Sequence, residues 1–370
     1  MTVELPLVKA IQPFDGEVQS GIMQPSQAHL EVIGFNLDDG VGKDALVELL
    51  KKWTDLARHL TQGTEIPGFL ESDMVAVIAN LTITVGFGER IFDVIGKSEL
   101  KPEGLHPVPA FRLDKLQERW GQTDLMLQLC ADDPVMLFSA ARMMIKAALG
   151  TASVKWMQKG FGRAYGAAIL GATPRNPMGQ VDGTVNPREE DEWAEQVWID
   201  SDQQWLNNSS IMVLRRIVMD LDAWEKLDLM QRERVIGRRY HSGAPLTAEI
   251  DDEFEEEDMD AVDADGNYII DRNSHLALAR EQDDLPNDAL RRRAYSFDDP
   301  LEPNAQNSTN SGLVWISFQK NPDKQFTPIQ ERLDKSDLLN RWVNHIGSAV
   351  YWIVPGTSKD SYWGQGLMEM

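Results

Sequence analysis

Gly179-Gln180-Val181-Asp182-Gly183-Thr184-Val185-Asn186-Pro187 sets one carboxylate between two glycines, with an Asn-Pro pair behind it. Glycine tolerates positive φ and close backbone approach, and the residue before a proline is pushed to extended or turn geometry. The stretch therefore reads as a tight loop that fixes Asp182 with little bulk around it. An ordinary surface turn has the same residue types, so Asp182 needs a partner before it means chemistry. Two other stretches offer one. His275 lies in Asn273-Ser274-His275-Leu276-Ala277-Leu278-Ala279-Arg280, and Arg291-Arg292-Arg293 lead into Ala294-Tyr295-Ser296-Phe297. In isolation a single histidine is more often a hydrogen-bonded structural residue, and three adjacent arginines are more often a solvated face.

The rest of the inventory excludes more than it offers. His29, His59, His106, His241, His275 and His345 contain no HxxxH or HExxH pair, which argues against a zinc hydrolase. No GxGxxG or Walker A loop argues for dinucleotide or NTP chemistry, and there is no Gly-x-Ser-x-Gly elbow. Cys130 is the single cysteine, so the chain has neither an internal disulfide nor a cysteine-built metal site. Its alternating apolar surroundings make it a small core residue. The net charge of −23 repels nucleic acid and anionic membranes and favours cationic or neutral partners. No apolar run reaches the roughly 18 residues of a bilayer span. Met1–Pro6 has no basic n-region or apolar h-region. As written the chain reads as cytoplasmic, with a secreted form whose signal has been removed left open. Asp251–Asp265 is strongly acidic and reads as a solvated, mobile loop. Asp263-Ala264-Asp265-Gly266-Asn267 within it lacks the spacing and final glutamate of an EF-hand.

The elements that must carry these residues follow from periodicity. Gln27–Leu37, Met74–Phe87, Asp124–Ala131 and Gly150–Ala167 read as strands. Gly42–Gln62 is an amphipathic helix ended by Gly63, and Asp133-Pro134 opens another that runs to Leu149. Ser209–Leu221 (strand), Asp222–Tyr240 (helix), Gly312–Gln319 (strand), Phe326–Val343 (helix) and Ser348–Val354 (strand) repeat the rhythm. The expected fold class is α+β: two ferredoxin-like domains with antiparallel β-sheets flanked by helices, spanning residues 1–175 and 176–370. The 370 residues exceed what a single core usually holds.

Together, Gly179–Pro187, Ser274–His275 and Arg292–Phe297 resemble the motifs of the dye-decolorizing haem peroxidases. The resemblance covers nearly the whole chain. Phe14-Asp15-Gly16 with Gly21-Ile22, Leu127–Asp133, Thr173-Pro174-Arg175-Asn176, Ser242–Leu246, Gly312–Gln319 and Tyr362-Trp363-Gly364-Gln365 also fit, in the family's order. The branch that includes the bacterial deferrochelatase-like proteins looks most similar. The resemblance implies two ferredoxin-like domains with haem b (iron protoporphyrin IX) held mainly by the second, and a peroxidase that uses hydrogen peroxide to oxidise phenolic or dye-like aromatic donors.

The resemblance also implies roles. His275 matches the proximal histidine, a neutral imidazole on the iron whose other nitrogen should be hydrogen-bonded. Asn344 lies in the region where that second partner would fall. Asp182 matches the distal aspartate, which shuttles a proton between the peroxide oxygens. Arg293 matches the distal arginine, whose fixed charge stabilises the leaving oxygen. Gly183, Thr184 and Val185 are expected on the haem edge, and the Gln282–Pro286 loop is expected to carry the chain from one haem face to the other. Arg280 is expected to bind a propionate. The family often carries Ile-Arg after the histidine; Leu276-Ala277 here shifts weight onto Arg280. Two other readings share parts of this constellation. A haem-binding, deferrochelatase-type protein that handles haem or iron needs His275 but not Asp182. A structural α+β protein needs neither.

Overall fold

The computed structural model describes residues 7–167, 173–280, 290–301 and 303–370; Met1–Pro6 and the Gln282–Pro286 span lie outside the described residues. In the first half, β1 (His29–Leu37), α1 (Lys43–Gln62), β2 (Thr82–Phe87), α2 (Arg90–Val94), β3 (Leu125–Ala131), α3 (Pro134–Ala148) and β4 (Ala152–Phe161) run as β-α-β-β-α-β around the short α2. After α4 (Glu190–Gln196) the rhythm returns with β5 (Ser210–Met219), α5 (Leu221–Trp224), α6 (Leu229–Ile236), α7 (His275–Ala279), β6 (Arg291–Arg292) and β7 (Tyr295–Asp298). β8 (Ser311–Gln319), α8 (Phe326–Ser336), β9 (Val343–Ile353) and α9 (Gln365–Met368) follow.

Each half is an antiparallel sheet in the ferredoxin-like order, β4-β1-β3-β2 and β9-β5-β8-β7. The halves join at both edges. Gly86↔Ile353 and Phe87↔Trp352 link β2 to β9, and Phe161↔Ser296 links β4 to β7. The sheet thus closes into a barrel through joins only one or two residue pairs long. Side chains alternate across that wall. Leu30, Val32, Cys130, Met212, Tyr295, Phe297 and Tyr351 fill the interior, with Cys130 in the expected core position. Ile33, Phe35, Leu127 and Leu129 face outward under α1 and α3, where Trp53 and Met144 close the packing. Burying each such large apolar side chain contributes roughly 1.5–3 kcal/mol.

Local chemistry explains where the elements stop. The strand expected over Met74–Phe87 begins only at Thr82, because Ala79 and Asn80 are left-handed (φ 50° and 57°). The helix expected over Asp222–Tyr240 is two. Asp220 caps α5 through the Ala223 amide, and Asp228 caps α6 in a capping box with Gln231, which ends at left-handed Gly237. The helix expected over Phe326–Val343 stops at Ser336, where Asp337 accepts the Leu339 amide and starts a short 3-10 turn; β9 then begins at Val343, earlier than expected.

The N-terminal and C-terminal motifs form a clasp. Asp15 takes two hydrogen bonds from Arg58 (2.9 and 3.1 Å) and one from Thr357 Oγ1 (2.8 Å). Phe14 packs against Trp363 at 5.2 Å. A Cβ at Gly356 would lie 2.1 Å from the Gly16 carbonyl, so only glycine fits there. The acidic Asp251–Asp265 segment is half solvated. Asp252, Phe254, Glu256 and Asp258 are exposed, but Glu253, Glu255 and Glu257 turn inward between them. No helix among the described residues is long and apolar enough to cross a membrane.

Candidate active site

His275 is the first residue of α7, and Ser274 caps that helix by accepting the Ala277 amide. The α6 C-terminus packs directly against this turn. Gly237 has φ +89°, and a Cβ there would meet Leu276 Cβ and Ser274 Oγ at 2.9 Å. Asp337, buried at the end of α8, bonds His275 Nδ1 through Oδ2 at 2.7 Å. The Leu338 amide donates to the Asn273 carbonyl (3.0 Å), so two helix ends are stapled together. Burial opposes the imidazolium, but the Asp337 carboxylate prevails and holds His275 above the ordinary histidine range. Nδ1 is engaged, which leaves Nε2 for a metal. Asn344 is paired with Val218 in β9, and the second partner of His275 is Asp337 instead. His345 is pulled down to about 3 by burial and by Arg215, which donates to its Nδ1, so it stays neutral.

The Asp182 loop is built by its neighbours. Arg175 and Val181 form an antiparallel bridge, and the Asp182 amide donates to the Pro174 carbonyl at 2.9 Å. Gly179 (φ +81°) lies against Tyr240, where a Cβ would sit 2.3 Å from the hydroxyl; its role is close packing rather than open space. Gly183 (φ +122°) is needed for its backbone, since a Cβ placed there would be in ordinary contact with Asn186 and Thr173 at 3.5 Å but would strain the left-handed conformation. Thr184 and Val185 are half-buried on the same loop. Asn176 Nδ2 reaches Asp182 Oδ2 at 3.4 Å, and Arg292 Nη1 reaches Asp182 Oδ1 at 3.4 Å. Asn186 clamps the Arg292 backbone with two bonds, of 2.9 Å to its carbonyl and 2.8 Å from its amide.

Arg293, expected at this position, is somewhere else. Its guanidinium donates to the Gln24 and Pro25 carbonyls and to Gln27, and it is 1% exposed. Arg291 points the same way, to the Ile22 carbonyl and the Trp193 ring. The physical reason is strand alternation: residues 291, 293, 295 and 297 share one side, and 292 faces the other. His275 lies within the fields of both Asp182 and Arg292, so these three are the residues that the fold brings together.

A third group flanks them. Arg280 pairs with Glu257 rather than standing free, and Glu257 Oε2 is buried without a partner among the described residues. Arg238 donates to the Gly243 and Glu253 carbonyls (2.7 and 2.9 Å), and burial lowers its pKa to about 10. Arg280 and Arg292 both lie close enough to Arg238 to act on its charge. Sequence reasoning missed Asp337, Asn186, Arg238 and the inward Glu253 and Glu257. The acidic run hid the last two, Asn186 stood in the Asp182 motif but read only as a turn residue, and no local motif marks Asp337 or Arg238.

Comparison with known proteins matches residues 19–162 to the family described as Dyp-type peroxidase, N-terminal, and residues 173–358 to Dyp-type peroxidase, C-terminal. The chain is 34% identical to a dye-decolorizing peroxidase of Thermobifida fusca over 95% of its own length and 84% of that protein. It is 29% identical to a deferrochelatase of Escherichia coli K12 over 97% of its length and 88% of that protein. Its fold superposes on a DyP-type peroxidase from Cellulomonas bogoriensis with a TM-score of 0.93 at 37% identity, covering 99% of this chain and 100% of that one. Ferric DtpA from Streptomyces lividans gives 0.93 at 34%, with the same coverage.

Proposed function

The chain belongs to the Dyp-type peroxidase family and is a haem-dependent peroxidase, and from that premise we propose that Asp182 and Arg292 handle the peroxide while His275 holds the iron. The residues present fit haem b. His275 keeps Nε2 available because Asp337 holds Nδ1. Arg238, Arg280 and Arg292 outnumber their two partner carboxylates, Glu257 and Asp182, which suits a group with carboxylate tails. When bound, the haem supplies the redox chemistry: it takes two oxidising equivalents from hydrogen peroxide and accepts electrons one at a time from the donor.

The protein's share is proton handling and charge. Both contacts to the Asp182 carboxylate are long, 3.4 Å each, so it can rotate. It takes the proton from one peroxide oxygen and returns it to the oxygen that leaves. Arg292 stays charged throughout and stabilises the negative charge that grows on the leaving oxygen. Asn186 fixes the backbone from which Arg292 reaches. The donors are phenolic or dye-like, and the charge of −23 favours cationic or neutral ones.

The Asp182–Arg292 contact within the field of His275 carries this reading. Asp182→Asn and Arg292→Leu test it. Haem absorbance should persist while the rate of reaction with peroxide falls. Unchanged rates would sink the assignment. The same pair separates the haem- or iron-handling role in the name of the deferrochelatase relatives, since that role needs His275 alone.

A further inference from the structure

The outer surface of the barrel is covered unevenly. α1 and α3 lie over β1 and β3, but β4 beside them is bare: its inward residues are buried while Met157, Lys159 and Phe161 face solvent. The exposed side of α3 carries Phe138, Arg142 and Ile145, whose spacings of four and three put them on one helix face, and Leu149 follows at its C-terminal cap. Phe138 is 52% and Leu149 71% exposed. A groove of about 480 Å³ runs between this helix face and β4, and past Lys159 it continues into a second of about 230 Å³ that ends at Phe161. Contiguous exposed apolar surface of this kind marks an interaction site.

The rim of the larger part of the groove is basic. Arg142, Lys146 and Lys159 line it in a chain whose net charge is −23, Glu31 on its floor is buried, and Asp298 and Asp299 line only the smaller end, where Asp299 is paired with Arg216. A second copy placed on the groove by a two-fold axis would set these cations against themselves. What fits is an acidic strip studded with large apolar residues, and the chain carries one. Along the Asp251–Asp265 segment, Asp252, Phe254, Glu256, Asp258, Asp260 and Val262 face solvent, with Phe254 44% and Val262 51% exposed. The alternate residues face inward: the Glu253 carbonyl accepts from Arg238, and Glu257 pairs with Arg280. The inner side is thereby fixed and the outer side is presented. One face of Phe254 is already stacked on Arg188, at 3.9 Å.

We propose that the Asp252–Val262 strip of one copy docks in the α3/β4 groove of the next, with Phe254 and Val262 on the apolar floor and the carboxylates on Arg142, Lys146 and Lys159. The contact is head-to-tail, since the two surfaces are different patches of the same chain. Sedimentation of the haem-loaded protein over a micromolar concentration series tests it. The average mass should rise with concentration and fall with added salt, because the charged contacts are exposed and screened. Arg142→Glu with Lys146→Glu should weaken association at least ~10-fold, and so should Asp252→Lys with Glu256→Lys. Mixing the two charge-reversed proteins should restore it, since each supplies the intact surface that the other lacks. Phe138→Asp tests the apolar floor without touching the basic rim. Peroxide activity and thermal melting of each variant monitor the fold. A monomer at every concentration overturns the proposal, as does an oligomer indifferent to both charge reversals. Loss on the groove side alone overturns the strip as occupant.

Discussion

Between β1 and β2 the chain makes one long helix, α1, and an irregular connection over 63–81; between β5 and β7 it makes α5, α6, the acidic segment, α7 and the short β6. The strand order is the same in the two halves, and so is the second crossover, α3 in one and α8 in the other. The difference lies in what covers the sheet. In the first half a 20-residue amphipathic helix lays Leu46, Leu50, Trp53 and Leu60 on the strands, and the result is a packed core. In the second half short, individually capped pieces leave polar side chains pointing at one another, and His275, Arg238 and Arg280 come from them. A barrel built twice can devote one crossover to stability and the other to chemistry. Changes in the first half should therefore move stability, and changes around the second half's irregular crossover should move rate.

Arg292 and Arg293 put that contrast on neighbouring residues. Arg292→Leu should lower the rate with peroxide by roughly 10²–10³-fold, the usual scale for removing one stabilising charge or donor from a reacting site, while melting temperature changes little. Arg293→Leu should do the reverse. It strips donors from the Gln24 and Pro25 carbonyls and Gln27 in a buried place, and leaving such groups unpaired costs about 1–3 kcal/mol. Stopped-flow kinetics per mole of bound haem, paired with chemical unfolding, reads both. Equal rate losses in the two variants would erase the distinction between the two sides of the strand.

Alternation also shows how much was legible beforehand. Tyr295 and Phe297 are recognisably core residues, and counting back by twos from them puts Arg293 and Arg291 inside and Arg292 outside; the motif match pointed to Arg293, whose guanidinium the fold holds on Gln24, Pro25 and Gln27. The helices and strands with strong periodicity, α1, α3, β1, β3, β5 and β8, stand where the sequence puts them within a few residues. Closure of the barrel had no such signal, since the joins between halves are one or two residue pairs long. Asp337 lies 62 residues from His275, and at the frayed end of a helix it reads as a cap, which it also is. Glu253 and Glu257 were hidden by their own neighbourhood: an acidic run predicts solvation on average, and only the folded backbone decides which alternate residues turn inward.

Asp337→Asn is a gentler test of the irregular half. The amide keeps the volume and can still accept from Nδ1, but it removes the charge that makes His275 a strong base. Loss of such a partner typically weakens metal binding by about 10–100-fold. Haem transfer to a scavenging apoprotein should accelerate on that scale, and the reduction potential should rise because a less basic imidazole stabilises the ferric iron less. A variant with unchanged haem retention and potential would reduce Asp337 to a helix cap.

Glu31 gives the smallest effect and the cleanest statement about the first half. It is 2% exposed on β1, and burial raises its pKa above the ordinary 4.5, with Lys159 offsetting only part of that. The sign follows from linkage. A carboxyl with a raised folded-state pKa favours the fold below about pH 4.5, where it is protonated in both states, and loses that advantage as the pH rises through the folded value. At neutral pH the charged Glu31 is a burden on the native state. Glu31→Gln should therefore stabilise the protein near pH 7, because the amide carries no charge to desolvate. The gain over the parent should shrink to nothing as the pH falls to about 4. Comparing the two proteins at each pH cancels every other titrating group, and the peroxide rate should not move, since Glu31 lies on β1 in the packed first half. A glutamine variant less stable than the parent at neutral pH would mean that the Glu31–Lys159 attraction outweighs desolvation, and that the first half also depends on a buried charge.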